Sequence, residues 1–154
     1  MLACLPPTLR AAEPCPWLNA ATAGGYLGGP ITEAAVTRAK SGDDAACTFT
    51  RRNGALVFEL RIEVETMKAP SRDFASYAAR CRSHAMPLKA IGNEALACDD
   101  DPADGGERVA EQVVGRVRNR AFLVHVGTTD PSAQRSDLRD KARRVAEQVA
   151  GILF

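Results

Sequence analysis

ALVFELRIEVET, the stretch Ala55–Thr66, decides the fold of this chain. Its apolar side chains recur at every second position, at Leu56, Phe58, Leu60, Ile62 and Val64. Four of the five residues at the alternate positions are charged; these positions are Val57, Glu59, Arg61, Glu63 and Glu65. A period of two sends successive side chains to opposite faces of an extended chain. The stretch therefore predicts a strand of an antiparallel sheet, with one face on the core and the other on water.

The segments before this strand predict one helix and two more strands. Asn53-Gly54 is the strongest hairpin signal in the chain, and it connects the stretch to a strand at Ala46–Arg52 that is rich in β-branched and aromatic residues. A further strand is predicted at Ile31–Arg38. Asn19 is a good N-cap for a short helix over Ala20–Leu27.

The segments after it alternate between helical and extended patterns. Apolar residues recur at helical spacing over Arg72–His84, with Ser71 as the cap and Pro87 as the terminator. Extended segments follow at Leu88–Ile91, Glu94–Cys98, Arg108–Arg118 and Ala121–Gly127, and a final helix covers Ala133–Leu153. Together these elements predict an α+β fold: a twisted antiparallel sheet of five or six strands, with the long C-terminal helix and a second helix packed mainly on one face.

Length and charge limit the function classes. The chain of 154 residues predicts a single domain over residues 13–154, after a leader at residues 1–12. Twenty basic and nineteen acidic residues nearly cancel, which argues against nucleic acid or an anionic membrane surface as a partner. No apolar run reaches the roughly 18–20 residues that a membrane-spanning helix needs.

Four cysteines are spread through the predicted domain, at Cys15, Cys47, Cys81 and Cys98. None of them forms a C-x-x-C pair, and the chain has only two histidines, so a zinc site is poorly supported. Four cysteines allow three pairings. We pair Cys81 with Cys98, as helix to sheet, because helical spacing places Cys81 on the core face, and Cys15 with Cys47, as N-terminal segment to sheet. Such a disulfide framework predicts an oxidising compartment.

The leader Met1–Ala12 (MLACLPPTLRAA) supports the same compartment. It resembles the end of a secretory signal peptide, with cleavage after Ala11 or Ala12. A second interpretation is a lipoprotein signal in which Cys4 is the lipidated residue, and a third is an ordinary N-terminus of a cytosolic protein. The first interpretation predicts a periplasmic or secreted bacterial protein.

The two histidines lack the neighbours that catalysis requires. His84 lies in the last predicted turn of its helix, where a cation interacts favourably with the helix dipole. His125 alternates with valines, which predicts a half-exposed position in a strand. No nucleophile motif such as G-x-S-x-G lies near either residue. The sequence therefore predicts no catalytic and no cofactor-binding residue.

An acidic run is the best candidate for a metal site; it comprises Asp99, Asp100, Asp101, Asp104 and Glu107. Calcium takes six to eight oxygen ligands, but the calcium-loop pattern places Ala103 or Pro102 at ligand positions of this run. A solvated loop is the better interpretation, and no metal site is predicted. The charged residues of the central strand, Glu59, Arg61, Glu63 and Glu65, are likewise expected to form a solvated sheet face.

Four short motifs resemble a known group of proteins. They are PCPWL from Pro14, AGGYLGGP from Ala23, CTFT from Cys47 and IGNEA from Ile91. This layout, over about residues 14–154, is similar to exported bacterial domains of unknown function best known from actinobacterial lipoproteins. The resemblance implies a PsbP/Mog-like α+β sandwich and a disulfide between Cys15 and Cys47, and it implies no activity.

Three functions remain open. The leading hypothesis is a non-enzymatic binding module of the cell envelope that acts on a protein or small molecule through a sheet face or the cleft between sheet and helices. The alternative is a carrier of a small apolar ligand held between the C-terminal helix and the sheet. The third is an envelope hydrolase that uses His84 or His125 with nearby acids.

Overall fold

A computed structural model describes residues 13–40, 42–104, 106 and 108–154 of the chain. The leader, and with it the proposed lipidation at Cys4, lies outside these residues. Three helices and seven strands occur in the described part, in the order α1 (Ala20–Leu27), β1 (Glu33–Arg38), β2 (Ala45–Asn53), β3 (Leu56–Thr66), α2 (Pro70–Ala78), β4 (Ser83–Leu88), β5 (Glu94–Asp99), β6 (Val109–Val117), β7 (Arg120–Thr128) and α3 (Arg135–Leu153).

All the strands lie in one antiparallel sheet, in the order β1-β2-β3-β7-β6-β5-β4. The α+β prediction is confirmed, and the stretch that decided it becomes β3, which lies between β2 and β7. Ile62 of β3 stands opposite Val124 of β7. The predicted number of strands, five or six, is wrong, because a strand replaces the end of one predicted helix.

That strand is β4, and α2 ends six residues earlier than the sequence indicated. The helix begins after Ala69, with Pro70 in its first turn, where a missing N–H costs no hydrogen bond. It closes through two tight bonds, from the Arg80 N–H to Tyr77 and from the Cys81 N–H to Ala78. Pro87 does not end the helix but lies within β4, at the sheet edge, where a proline is tolerated.

Helices cover both faces of the sheet. One face packs against α1 and α3, and we call it the covered face. It carries Leu60, Ile62, Val64, Phe122, Val124 and Val126. The side chains of α3 that meet it, at Ala142, Val145, Ala146 and Val149, are fully buried. None of the helices in the described ranges is long and apolar enough to cross a membrane.

The opposite face packs against α2, so the expectation that both helices share one face is wrong. Phe74 of α2 lies in a second apolar cluster with Val114 of β6 and Leu123 of β7. These residues alternate with Val113 and Val124, which point into the first core. Because the central strands β6 and β7 are apolar on both sides, they need a cover on each.

Both predicted cysteine pairings are confirmed. Cys15 and Cys47 are bonded with their Cα atoms 5.9 Å apart, and Cys81 and Cys98 with theirs 5.4 Å apart. The first pair attaches the N-terminal segment to β2 on the covered face, and the second ties the end of α2 to β5.

Candidate functional site

Part of the second sheet face has no helix over it among the described residues. Helix α2 contacts β6 and β7, at the positions of Val114 and Leu123. The uncovered part, which we call the open half-face, carries Thr48 and Thr50 of β2, Glu59 and Arg61 of β3, and His125 and Gly127 of β7. Cross-strand pairing brings these six positions together, since Thr50 stands opposite Glu59, Glu59 opposite Gly127, and Arg61 opposite His125.

His125 occupies the centre of this surface and is buried, not half-exposed as the alternation with valines indicated. Its imidazole Nδ1 lies 2.6 Å from the Oδ2 of Asp100, which follows β5. On the other side of the ring, Nε2 lies 3.6 Å from Glu59 Oε1, beyond hydrogen-bonding distance. Nε2 has no surface exposed to water and no hydrogen-bond partner in the described part of the chain.

Gly127 and Arg108 determine what surrounds Nε2. A Cβ atom at Gly127 would lie only 2.9 Å from this nitrogen, so the glycine makes the room that the imidazole occupies. Arg108 extends over the same place, with its Nη1 3.5 Å from Glu59 Oε2. The weak Arg108–Glu59 ion pair therefore lies next to the imidazole, with Glu59 Oε1 3.6 Å from Nε2.

This geometry supplies two of the three parts of a nucleophilic triad. The Asp100 carboxylate orients the ring through Nδ1, as the acid of a Ser-His-Asp triad does. The third part is a hydroxyl or thiol at Nε2, and in the described ranges no side chain donates or accepts a hydrogen bond there. The pair can orient a base, but it assembles no nucleophile.

His84 lies elsewhere and in a different setting from the one predicted. It belongs to β4 and not to the last turn of a helix, and its φ of 54° is in the left-handed region. Its Nδ1 is 2.7 Å from Asp99 Oδ2, while its side chain is 81% exposed. The two histidines therefore contact neighbouring aspartates, Asp99 and Asp100, but not each other.

Carboxylates of the acidic run already interact with an arginine side chain and with backbone N–H groups. Asp101 Oδ2 lies 2.6 Å from Arg135 Nη2, and Asp101 Oδ1 accepts a hydrogen bond from the N–H of Ala110. Asp104 accepts one from Gly106, and Glu107 lies outside the described residues. In the ranges that can be described, no three His, Cys, Asp or Glu side chains converge on a possible metal position.

Two partly exposed arginines of α3 form a charge network around a buried glutamate, which the sequence did not indicate. Glu111 of β6 is fully buried, and its Oε1 lies 3.0 Å from Arg139 Nη2. The same nitrogen lies 3.1 Å from Asp99 Oδ1, and Arg135 Nη1 lies 3.4 Å from Glu111 Oε1. Burial raises the pKa of Glu111, and the bond from Arg139 opposes this rise. The one sequence signal is the spacing of Arg135 and Arg139, four apart on a single helix face.

The charged residues of β3 are paired rather than freely solvated. Glu63 lies 3.3 Å from Arg61 Nε and 3.5 Å from Arg80 Nη1. Glu65 accepts a hydrogen bond from the hydroxyl of Tyr77, on α2. Burial, together with this bond, raises the pKa of Tyr77 to about 12.

The interface that an apolar ligand would need is filled by side chains. Helix α3 meets the sheet through fully buried valines and alanines. A depression of about 540 Å³ between α1 and α3 is lined mainly by polar groups, among them Asp137, Lys141 and Arg144. A carrier function stays a prediction that these contacts do not favour.

Comparison with protein-family models and with curated proteins finds no match to this chain.

Proposed function

We propose that the protein is a non-enzymatic binding module of the periplasm or the extracellular space, and that it contacts another protein through the open half-face. The observation that carries this proposal is a part of the sheet that no described helix covers, beside the part under α2. Thr48, Glu59 and Arg61 of this surface are partly exposed, while Thr50, His125 and Gly127 are buried. Glu59 and Arg61 of this surface, and the adjacent Glu63, have side-chain exposures of 20–39% and lie in ion pairs, so they are held in place and still reach solvent. Ordered side chains of this kind lose little conformational entropy on binding.

The chemistry of the surface favours a polar protein partner. Arg61 and Arg108 lie beside Glu59 and Glu63, so both signs of charge alternate over short distances. The threonines of β2 add short hydroxyl groups beside these charges. Charges of mixed sign select a complementary protein surface by position, whereas a polyanion requires a field of one sign.

The proposed compartment is supported by the two disulfides. Such bonds persist in oxidising environments and are rare in the cytosol. The resemblance to exported bacterial lipoprotein-type domains points the same way. Protein recovered from its own host and mass-analysed without reduction is expected to lack four hydrogens relative to the reduced chain.

Site-specific photocrosslinking in the native host tests the proposed surface. A photoreactive residue at Thr48, on the open half-face, is expected to give a discrete adduct with one partner. The same residue at Arg144, on the exposed side of α3, is the matched control and is expected to give none. Adducts of equal yield at both positions, or none at Thr48, would contradict the proposal.

The variant Arg61→Glu provides a second test. Reversal of this charge places a third carboxylate beside Glu59 and Glu63 and is expected to abolish the adduct at Thr48. A circular dichroism spectrum that matches the parent protein would show that the loss is one of binding.

The 2.6 Å contact between His125 and Asp100 favours one second candidate, a hydrolase. An oriented imidazole can activate water as a general base. Turnover of ester, amide or phosphoester substrates that is lost in both His125→Gln and Asp100→Asn would support this candidate over the binding module. We expect no such turnover, because Nε2 is closed to solvent.

A further inference from the structure

The two edge strands of the described sheet differ in how they are protected. Strand β4 has a register shift between Ser83 and Met86, a left-handed residue at His84 and a proline at Pro87. Bulges and prolines are the usual devices that prevent an edge from pairing with another chain. Strand β1, from Glu33 to Arg38, has neither and pairs with β2 in continuous register.

The outward backbone groups of β1 can be assigned from its pairing with β2. The Ala39 N–H donates to the Asp44 carbonyl, so these two residues form a hydrogen-bonded pair of the β1–β2 ladder. In an antiparallel pair, hydrogen-bonded and non-hydrogen-bonded pairs alternate. The N–H and C=O groups of Glu33, Ala35 and Thr37 therefore point to β2, and those of Ala34, Val36 and Arg38 point away from the sheet.

We propose that β1 pairs with β1 of a second copy of this chain, antiparallel and centred on Val36, to form a symmetric dimer. In this register Val36 faces its own counterpart, and Ala34 faces Arg38 of the second copy. All three outward N–H and all three outward C=O groups of each strand are then used. A two-fold axis perpendicular to the sheet produces such a self-complementary contact.

The charges at the ends of β1 agree with a second copy of this chain, in antiparallel orientation, as its partner. Glu33 begins β1 and Arg38 ends it, with Lys40 close behind. Antiparallel pairing about Val36 places Glu33 of each copy opposite Ala39 of the other, one position from Arg38 and from Lys40, whereas parallel pairing would align like charges. Within its own chain Arg38 lies 3.3 Å from Glu13. The side chains between them are small, at Ala34, Ala35 and Thr37, so no bulky group holds the strands apart.

The dimer has a consequence for the surface that faces a partner. A perpendicular two-fold axis keeps equivalent faces of the two sheets on the same side. Both open half-faces would then lie on one side of a continuous sheet, as a bivalent surface. The dimer does not depend on the proposed partner, because it uses only the backbone of β1.

Sedimentation equilibrium of the purified chain, with Cys4→Ser so that no disulfide can form through this residue, tests the contact. We expect a monomer–dimer equilibrium in this protein. The variant Ala34→Pro removes one outward N–H from each strand, two per dimer, and is expected to weaken the dimer about tenfold or more. Its matched control, Ala34→Thr, keeps the N–H group and is expected to dimerise like the parent.

Cysteine crosslinking tests the register. Ala35 of one copy would face Thr37 of the other in a non-hydrogen-bonded pair, in which Cα atoms lie about 4.5 Å apart and a disulfide can form. A mixture of Ala35→Cys and Thr37→Cys chains is expected to form a mixed disulfide dimer. A mixture of Ala34→Cys and Thr37→Cys chains is the control, because these positions lie on opposite faces of the sheet.

Three outcomes would overturn the proposal. The first is a monomer at all concentrations up to roughly 1 mM, the range of a very weak complex. The second is a dimer that Ala34→Pro leaves unchanged, which would place the contact elsewhere. The third is equal crosslinking in the two cysteine mixtures, which would exclude the register. Since these measurements use the purified chain alone, failure of the dimer and failure of the partner-binding function are distinguishable.

Discussion

At the scale of single residues, Glu111 shows how this protein accommodates a buried charge. The carboxyl group has no exposed surface, and burial raises its pKa. Arg139 contacts both of its oxygens, at 3.0 Å and 3.4 Å, so the charge is paired where it lies. A buried pair of this kind adds little net stability, but loss of one partner is costly because the other remains without water.

Arg139→Ala should therefore destabilise the protein by about 3 kcal/mol, since it leaves Glu111 with only the more distant Arg135. Arg144→Ala is the matched control. It removes an exposed arginine from the same helix, 3.0 Å from Asp140, and should cost less than about 1 kcal/mol. Urea unfolding of both variants measures the difference.

A double variant separates the two explanations of a large loss. If the buried carboxylate is the cause, Arg139→Met combined with Glu111→Leu should be more stable than Arg139→Ala alone, because no charge remains buried. Equal losses in the single and double variants would contradict this account.

Gly127 is the second residue at which one atom decides the local structure. In Gly127→Ala the new Cβ would meet His125 Nε2 at 2.9 Å and the Cβ of Ala110 at 3.2 Å. The imidazole must shift, and we expect a loss of about 1–3 kcal/mol, as for other overpacked sites. The hydrogen bond from Nδ1 to Asp100 should weaken, which NMR of the imidazole protons would detect.

The control for this substitution has the opposite expected sign. A Cβ at Gly25, within α1, meets nothing within 4 Å. Gly25→Ala should stabilise the protein by up to about 1 kcal/mol, because alanine is the better helix former. Destabilisation of both variants would mean that the fit around His125 is not the cause.

At the scale of elements, the docking of α3 depends on ionised carboxylates. Burial is the largest influence on Asp99 and Asp101 and raises the pKa of each. It is outweighed at Asp99 by the bond with His84 and the charge of Arg135, and at Asp101 by bonds with Arg135 and the Ala110 backbone, so that both pKa values lie below the ordinary value of 3.8. A carboxyl group with a lowered pKa contributes stability that is present above the ordinary value and lost as the pH falls through the folded value.

The free energy of unfolding should therefore fall as the pH drops below about 3.8, and the first turn of α3 should lose protection from hydrogen exchange there. Glu111 acts in the opposite sense, since a raised pKa favours the folded state once the group is protonated. In Asp101→Asn the fall should be shallower than in the parent. Asp43→Asn, in the exposed β1–β2 turn, is the control and should leave the slope unchanged.

Most elements could be predicted from the sequence because their signals are local. Alternation identified β3, the Asn53-Gly54 turn identified its hairpin, and an apolar stripe identified α3. The boundary between α2 and β4 could not be predicted, because the segment after Ala78 keeps a helical pattern while pairing with β5 decides its structure. The packing of helices on both sheet faces could not be predicted either. The apolar residues of β6 and β7 point alternately to the two faces, but they do not indicate which helix packs on which face.

The site was less accessible to prediction than the fold. Alternation placed His125 in a strand, and its partners come from β3 and from the segment after β5, far apart in sequence. The cysteine pairs are the exception, although Cys81 lies three residues beyond the end of α2 and not on the helix from which its pairing was inferred.

At the scale of the whole molecule, the sheet formed by the described strands separates two apolar cores of unequal size. The larger core lies under α1 and α3, and the smaller lies under α2. A disulfide holds the margin of each, since Cys15 and Cys47 border the first and Cys81 and Cys98 lie in the second. The smaller core has fewer side chains to hold α2, so we expect the packing of α2 to depend on the Cys81–Cys98 disulfide more than the packing of α3 depends on the Cys15–Cys47 disulfide.

Removal of the disulfides tests this arrangement in full. The pairs span 17 and 32 residues, and loop-closure entropy assigns them about 3 kcal/mol and about 3.5 kcal/mol respectively. We expect Cys81→Ser with Cys98→Ser to lose about 3 kcal/mol and to expose α2 to hydrogen exchange before α3. Cys15→Ser with Cys47→Ser should lose slightly more while α2 stays protected.

Reduction of both bonds would remove about 6–7 kcal/mol, comparable to the whole stability of many domains, so the reduced chain should unfold at low urea. A reduced chain as stable as the oxidised one would remove the physical reason for an oxidising compartment.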